Sequence, residues 1–163
     1  MARENGLALR HSLACLPVWA SLCLGGTVYS YEPKLTAALL EERTAKPFKD
    51  VIEELEFAIS EQNFRITGRN AIGAGIRKRG YPHFPEVEII HFCNLEHARY
   101  VLELDPRFVA HMPCRIAVYQ EGNHTVITAM LLPEDHKDQR VNEFARTINR
   151  IIREIVDLAV EKH

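Results

Sequence analysis

Two short segments of this chain place thiols, imidazoles and a thioether close together in sequence. His91 lies two positions before Cys93, and His111 lies three positions before Cys114, with Met112 between them. Alternate residues of a strand project to one side about 6.6–7 Å apart, so His91 and Cys93 would face one centre. If the two segments form neighbouring strands, two thiols and two imidazoles converge.

Such a cluster predicts a metal or haem site. Two thiolates and two imidazoles make a tetrahedral Zn²⁺ site, so the candidate ligands are His91, Cys93, His111 and Cys114. Met112 is a further, weaker candidate, because Cys, His and Met together suit copper. Haem bound through His, Cys or Met is a third option. No Cys-x-x-Cys-His occurs in the sequence, which excludes covalent c-type attachment.

The two cysteines have other interpretations. They could be buried small hydrophobes, or a disulfide closing a loop of about 20 residues and contributing roughly 3 kcal/mol. They could also form a redox pair, with Cys93 as the nucleophile and Cys114 as the resolving thiol. The sequence has no Cys-x-x-Cys, which argues against an ordinary thioredoxin-like oxidant.

Asn94 and Arg115 flank the cysteines and are candidates for contact with a ligand or anion. Asn94 is expected to cap a helix, and the positive end of that helix would lower the pKa of the Cys93 thiol. Arg115 would point away from Cys114 on a regular strand. It would form a surface or dimer salt bridge there, or clamp an anion.

The surrounding pattern predicts an α+β domain with a mostly antiparallel sheet of about four strands, covered by helices. Residues 64–67, 87–93, 114–120 and 125–131 are the expected strands, the last two joined by a hairpin. An amphipathic helix begins near Phe48 and should stop at Asn63, a residue that tolerates a left-handed conformation. Residues 70–80 form a short helix or loop, and Asn94 begins another helix. A long apolar stripe, from Val141 to Ala159, predicts the final helix.

Length and composition indicate one compact domain. The chain has 163 residues, of which 47% are hydrophobic and 26% charged, and its net charge is −2. This balance is ordinary for a globular protein. It lacks the basic excess of a dedicated nucleic-acid binder, so no nucleic-acid partner is expected.

The first 30 residues resemble a secretory signal peptide. Arg3 and Arg10 precede an uncharged apolar stretch at 13–24, and Val28 and Ser30 fit the small-residue rule for cleavage before Tyr31. An uncleaved short anchor is the alternative, and only then would the protein contact a membrane. We therefore expect a periplasmic or secreted protein, with a signal peptide at 1–30, a tether at 31–47 and the domain at 48–163.

One stretch is similar to a known family. It begins with a Cys-Asn pair that opens a helix and ends with a Pro-Cys pair that opens a strand. This spacing resembles the bacterial and archaeal family known as domain of unknown function 302, over roughly residues 46–132. The residues that carry the resemblance are Phe92-Cys93-Asn94, Ala98, Leu102-Glu103-Leu104-Asp105-Pro106, Met112-Pro113-Cys114-Arg115 and Val118-Tyr119.

The resemblance implies a small α+β fold, often dimeric, with no established activity. The chain departs from the family pattern, with Leu95 in place of a proline and Asn63 in place of a glycine. The histidines near the two cysteines and the long final helix are also additions to that pattern.

Three functions follow as hypotheses. The first is an exported, non-catalytic binding protein that holds a metal, haem or small molecule at the Cys/His cluster. The second is a thiol-redox or sulfur-handling protein that uses Cys93 and Cys114. The third is a structural homodimer module without a ligand.

Overall fold

The computed structural model of the chain describes residues 38–160. The expected signal peptide, its cleavage position and the first part of the expected tether lie outside the described residues. Within the described range, none of the helices combines the length and the apolar character needed to span a bilayer. The chain forms strands β1 (Leu39–Thr44), β2 (Arg65–Asn70), β3 (Val87–Cys93), β4 (Cys114–Glu121) and β5 (His124–Met130), helices α1 (Phe48–Glu61), α2 (Ile72–Arg77), α3 (Leu95–Leu104) and α4 (Gln139–Val160), and the 3₁₀ helix Pro106–His111.

The α+β class is confirmed, and the strands form one antiparallel sheet in the order β1-β5-β4-β3-β2. The sheet has five strands rather than the expected four, because β1 lies inside the segment predicted to be a tether. Its six residues pair with β5 from Leu39–Met130 to Thr44–Thr125. Residues 39–44 of the segment predicted to be a tether therefore belong to the sheet.

One face of the sheet, here called the covered face, packs against α1 and α4. Alternation along β3 places Ile90 and Phe92 on this face, and Ile116 and Val118 of β4 join them. All four side chains are fully buried. The opposite face, here called the open face, carries the alternate, half-exposed residues of β3, including His91. Burial on one side only explains why the strands alternate in hydrophobicity.

The two longer helices bury the stripes that the sequence shows. Val51, Leu55 and Ile59 of α1 lie in the same core as Ile152 and Ile155 of α4. The predicted stop of α1 is confirmed, since Asn63 adopts a left-handed φ of 58°. Strand β2 runs further than expected, to Asn70, through a bulge between Ile66 and Gly68.

Helix α2 packs against the start of β3 at a glycine. A Cβ atom on Gly73 would overlap the carbonyl oxygen of Pro85 and lie 2.7 Å from the backbone nitrogen of Val87. A Cβ on Gly75, in the same helix, would meet only the mobile end of Arg79, 3.6 Å away.

We expect Gly73→Ala to lower the free energy of unfolding by about 1–3 kcal/mol, because backbone atoms must move to admit the methyl group. Gly75→Ala is the matched control. It should be neutral or slightly stabilising, because alanine favours a helix and the Arg79 side chain can shift. Urea unfolding of both variants measures the difference. Equal stability of the two variants would contradict the tight contact at Gly73.

Candidate functional site

The register between β3 and β4 separates the predicted metal ligands. His91 is opposite Arg115, and Phe92 is opposite Cys114. Directly opposite residues of an antiparallel pair point to the same face. Cys114 therefore shares the covered face with Phe92, whereas His91 lies on the open face.

His91 has its own partner on the open face. Its Nε2 lies 3.1 Å from Oδ1 of Asn70, on the neighbouring strand β2. The strands are neighbours, as the metal hypothesis required, but the predicted set of His91, Cys93, His111 and Cys114 does not meet at one centre. Among residues 38–160, no three His, Cys, Asp or Glu side chains come close enough to hold a metal ion.

Most of the other candidates border one small cavity on the covered side, here called the thiol cavity. It has a volume of about 30 Å³ and lies among the ends of β3 and β4, helices α3 and α4, and the 3₁₀ helix. Both cysteines, two histidines and one methionine line it, together with apolar and aromatic side chains. The lining residues are Phe64, Cys93, Asn94, His97, Ala98, Phe108, His111, Met112, Cys114, Leu132, Phe144 and Ile148.

His97 lines the thiol cavity but was not among the site residues predicted from the sequence. Its ring packs edge-on against Phe64 and Phe144, with centroids 5.5 Å and 6.2 Å away. Its Nδ1 is buried and has no hydrogen-bond partner among residues 38–160. A buried polar atom without a partner costs about 1–3 kcal/mol, so such atoms are rare in folded proteins. The signal was present in the sequence, because His97 lies four residues before the buried Val101 on one face of α3.

Asn94 fixes the start of α3 and hence the position of His97. Its Oδ1 accepts hydrogen bonds from the backbone nitrogens of Glu96 and His97, at 3.0 Å and 3.1 Å. Its Nδ2 donates to the carbonyl oxygen of Asn63 at the end of α1. The expected capping role is therefore present in the structure. Any contact of Asn94 with a ligand stays a prediction.

Asp105 anchors the 3₁₀ helix that carries His111 into the cavity wall. Its carboxylate accepts hydrogen bonds from the backbone and side chain of Arg107 and from Nε2 of His136, at 2.9 Å. Chiefly because of the hydrogen bonds from Arg107, the pKa of this carboxyl lies well below its usual range. The carboxylate thus stays charged and keeps the helix in place over the whole neutral range.

Two buried asparagines of α4 hold the segment that follows β5. Oδ1 of Asn149 accepts from the backbone nitrogen of Leu132, and its Nδ2 donates to the carbonyl oxygen of the same residue. Asn142 makes the same pair of bonds with His136. Leu132 borders the thiol cavity, so these amides fix one of its walls.

Burial controls the chemistry of both thiols. Desolvation, and secondarily the nearby Cys93, raises the pKa of Cys114 to about 11. Burial also raises the pKa of Cys93. For Cys93 this shift is in the direction opposite to the one expected from the helix start, and its cause is desolvation. At neutral pH roughly one Cys114 in ten thousand is a thiolate.

The two cysteines are free thiols. Cys93 pairs with Arg65 of β2, whereas Cys114 pairs with Phe92 of β3. Both thiols line the thiol cavity and are unbridged in the structure. A disulfide between them stays a prediction.

Arg115 lies exposed on the open face, opposite His91. Its guanidinium donates to Sδ of Met130 on β5. The expectation that Arg115 points away from Cys114 agrees with this position. Its role as an anion clamp or dimer contact stays a prediction.

Comparison with models of protein families finds a match over most of the chain. The family model for the domain of unknown function DUF302 matches residues 40–159. The chain belongs to the DUF302 family. The match includes nearly all of β1 and of α4, so the final helix is part of the family domain and not an addition to it. None of the curated proteins matches this chain.

A solved structure of a DUF302 protein has the same fold. The crystal structure of an uncharacterized conserved DUF302 protein from Bacillus stearothermophilus superposes with a TM-score of 0.67. The two sequences are 20% identical, and the alignment covers 76% of this chain and 98% of that one. At this identity the likeness concerns the fold.

We expect Cys114 to react with iodoacetamide more slowly than Cys93 at pH 8, because Cys114 has the deeper burial and a pKa of about 11. Its rate should rise about tenfold per pH unit up to about pH 10, since only the thiolate reacts. Mass spectrometry of the peptides that contain each cysteine measures both rates in one sample.

Labelling in urea is the control, because unfolding removes the burial and should bring the two rates together. A Cys114 rate that levels off near pH 8 would contradict the raised pKa.

Proposed function

We propose that this DUF302 protein is an exported binding protein that holds one copper(I) ion in the thiol cavity. The proposed ligands are the Cys114 sulfur, the Met112 thioether and a ring nitrogen of His97, with His111 at the same cavity wall. The observation that carries the proposal is the convergence of these soft ligands on one small, apolar cavity.

The size of the cavity favours a single ion. A volume of about 30 Å³ leaves room for about one or two groups the size of a water molecule, whereas a porphyrin needs a space many times larger. Of the ligands considered from the sequence, the cavity therefore supports a metal ion and not haem.

The number and softness of the ligands favour copper(I) over zinc. Structural Zn²⁺ takes four Cys, His or carboxylate ligands. No such group of even three forms among the described residues. Copper(I) prefers thiolate and thioether ligands, so one cysteine, one methionine and one imidazole suit it.

The electrostatics of the thiols support binding over thiol-redox chemistry. A nucleophilic cysteine needs a lowered pKa, and the pKa values of both thiols are raised here. A bound metal ion replaces the thiol proton directly, so a high pKa in the free protein is compatible with a metal–thiolate bond. The buried, unpartnered Nδ1 of His97 would gain a partner in the same step.

We expect the protein to bind one copper(I) and Cys114→Ser to weaken that binding by at least about 100-fold, because the thiolate is the only anionic ligand. Met112→Leu keeps the volume but removes the thioether, and should cost about tenfold. Anaerobic competition with a coloured copper(I) chelator measures the affinities. The full chain is used with Cys15→Ser and Cys23→Ser, so that the leader thiols contribute nothing.

His91→Ala is the matched control, since His91 bonds to Asn70 on the open face and should leave the affinity unchanged. Circular dichroism verifies that each variant folds. Unchanged binding in Cys114→Ser would refute the site, and so would a loss of binding in His91→Ala equal to that in Cys114→Ser.

Export is tested separately by the mass of the protein that a bacterial cell secretes. We expect a chain that starts at Tyr31, because Val28 and Ser30 fit the cleavage rule. Intact mass spectrometry of the periplasmic and culture fractions identifies the terminus. A full-length chain found only in the membrane fraction would instead support the uncleaved anchor.

A further inference from the structure

The segment Lys78–Pro85, here called the aromatic loop, joins α2 to β3 and is exposed at every residue. Tyr81 is 65% exposed and Phe84 is 37% exposed, and Ile72 of the neighbouring helix α2 is 39% exposed. Three large apolar side chains therefore face solvent in one short region.

Hydrogen bonds from Arg77 hold the backbone at the end of the loop in position. The Arg77 guanidinium donates to the carbonyl oxygens of Phe84 and Pro85, at 2.9 Å and 3.3 Å. It also binds both carboxylate oxygens of Glu86 at 2.9 Å. The contact at Gly73 fixes α2 against the end of the same loop. The exposed rings are thus presented by a braced backbone.

The charge of this region is opposite to that of the chain. Residues 70–85 contain three basic residues and no Asp or Glu, although the net charge of the whole chain is −2. Glu86, the first acidic residue after the loop, neutralises Arg77. Lys78 and Arg79 are exposed and form no ion pair with any residue in 38–160, so two positive charges lie beside Tyr81 and Phe84.

We propose that the aromatic loop docks this protein onto the surface of a bilayer that contains anionic lipid. Tyrosine is enriched at the membrane interface, where an amphipathic ring lies at the level of the headgroups, and an exposed Phe can enter the same layer. Lysine and arginine next to the rings attract anionic headgroups. The loop supplies both features on one rigid edge. The inference is independent of the metal site.

The test is co-sedimentation of the full chain with vesicles of phosphatidylcholine alone and of phosphatidylcholine mixed with phosphatidylglycerol. Residues 13–24 are apolar, so binding common to both vesicles is assigned to them. Arg3 and Arg10 precede that apolar stretch, so the contribution of the loop is the part of the extra binding to anionic vesicles that substitutions in the loop remove. We expect Lys78→Gln with Arg79→Gln to weaken that extra binding about 30-fold, at about 1 kcal/mol per basic residue.

Tyr81→Ser with Phe84→Ser should weaken it by at least about tenfold while leaving both charges in place. The matched control is Leu95→Ser, because Leu95 is the most exposed large apolar residue within 38–160, at 79%, and lies on α3 outside the loop. Raising the salt concentration should also reduce the anionic preference.

Two results would overturn the proposal. One is equal binding of the wild type to both kinds of vesicle. The other is an anionic preference that both double variants retain, because the attachment would then come from another part of the chain.

Discussion

Each side chain of the sheet lies on either the covered face or the open face. The register between β3 and β4 decides which face each side chain of these two central strands occupies. With Phe92 opposite Cys114, the thiol at the start of β4 joins the apolar core. A shift of one residue would expose it and bury Arg115 instead. Such a shift would bury an unpaired charge, so the observed register is strongly preferred.

The sequence predicted the elements whose hydrophobic pattern is locally complete. The bounds of β3 are as expected, and α4 follows its long apolar stripe. The hairpin between β4 and β5 also forms, with Gly122 at a positive φ of 58°. In each case the period of the pattern and the turn residues lie within one short window, so no distant contact is needed to recognise the element.

Strand β1 could not be recognised in this way. It is an edge strand with three charged residues, and Thr44 is its one buried residue. Its partner β5 lies more than 80 residues later in the chain. Pairing with a distant strand, rather than local preference, creates this element.

The candidate site was predicted only in part for a related reason. Cys93, His111, Met112 and Cys114 do border one cavity, but His91 does not, because alternation and register place it on the other face. His97 takes its place at the cavity from a helix, where the spacing of neighbours follows a different period. Residue spacing within a segment identified most of the polar residues that line the cavity, and the relative position of separate segments decided which of them come together.

The hydrogen bonds that the side-chain amides of Asn142 and Asn149 make with the backbone affect the order in which the parts of the domain fold. Each asparagine stands in for a neighbouring strand, satisfying the N–H and the C=O of one residue after the sheet has ended. The cavity wall at Leu132 is therefore held in position by Asn149 of the last helix, α4. As the chain emerges during synthesis, every thiol and imidazole of the cavity is present before the helix that holds the wall at Leu132. The cavity is therefore completed only when the C-terminal helix has docked.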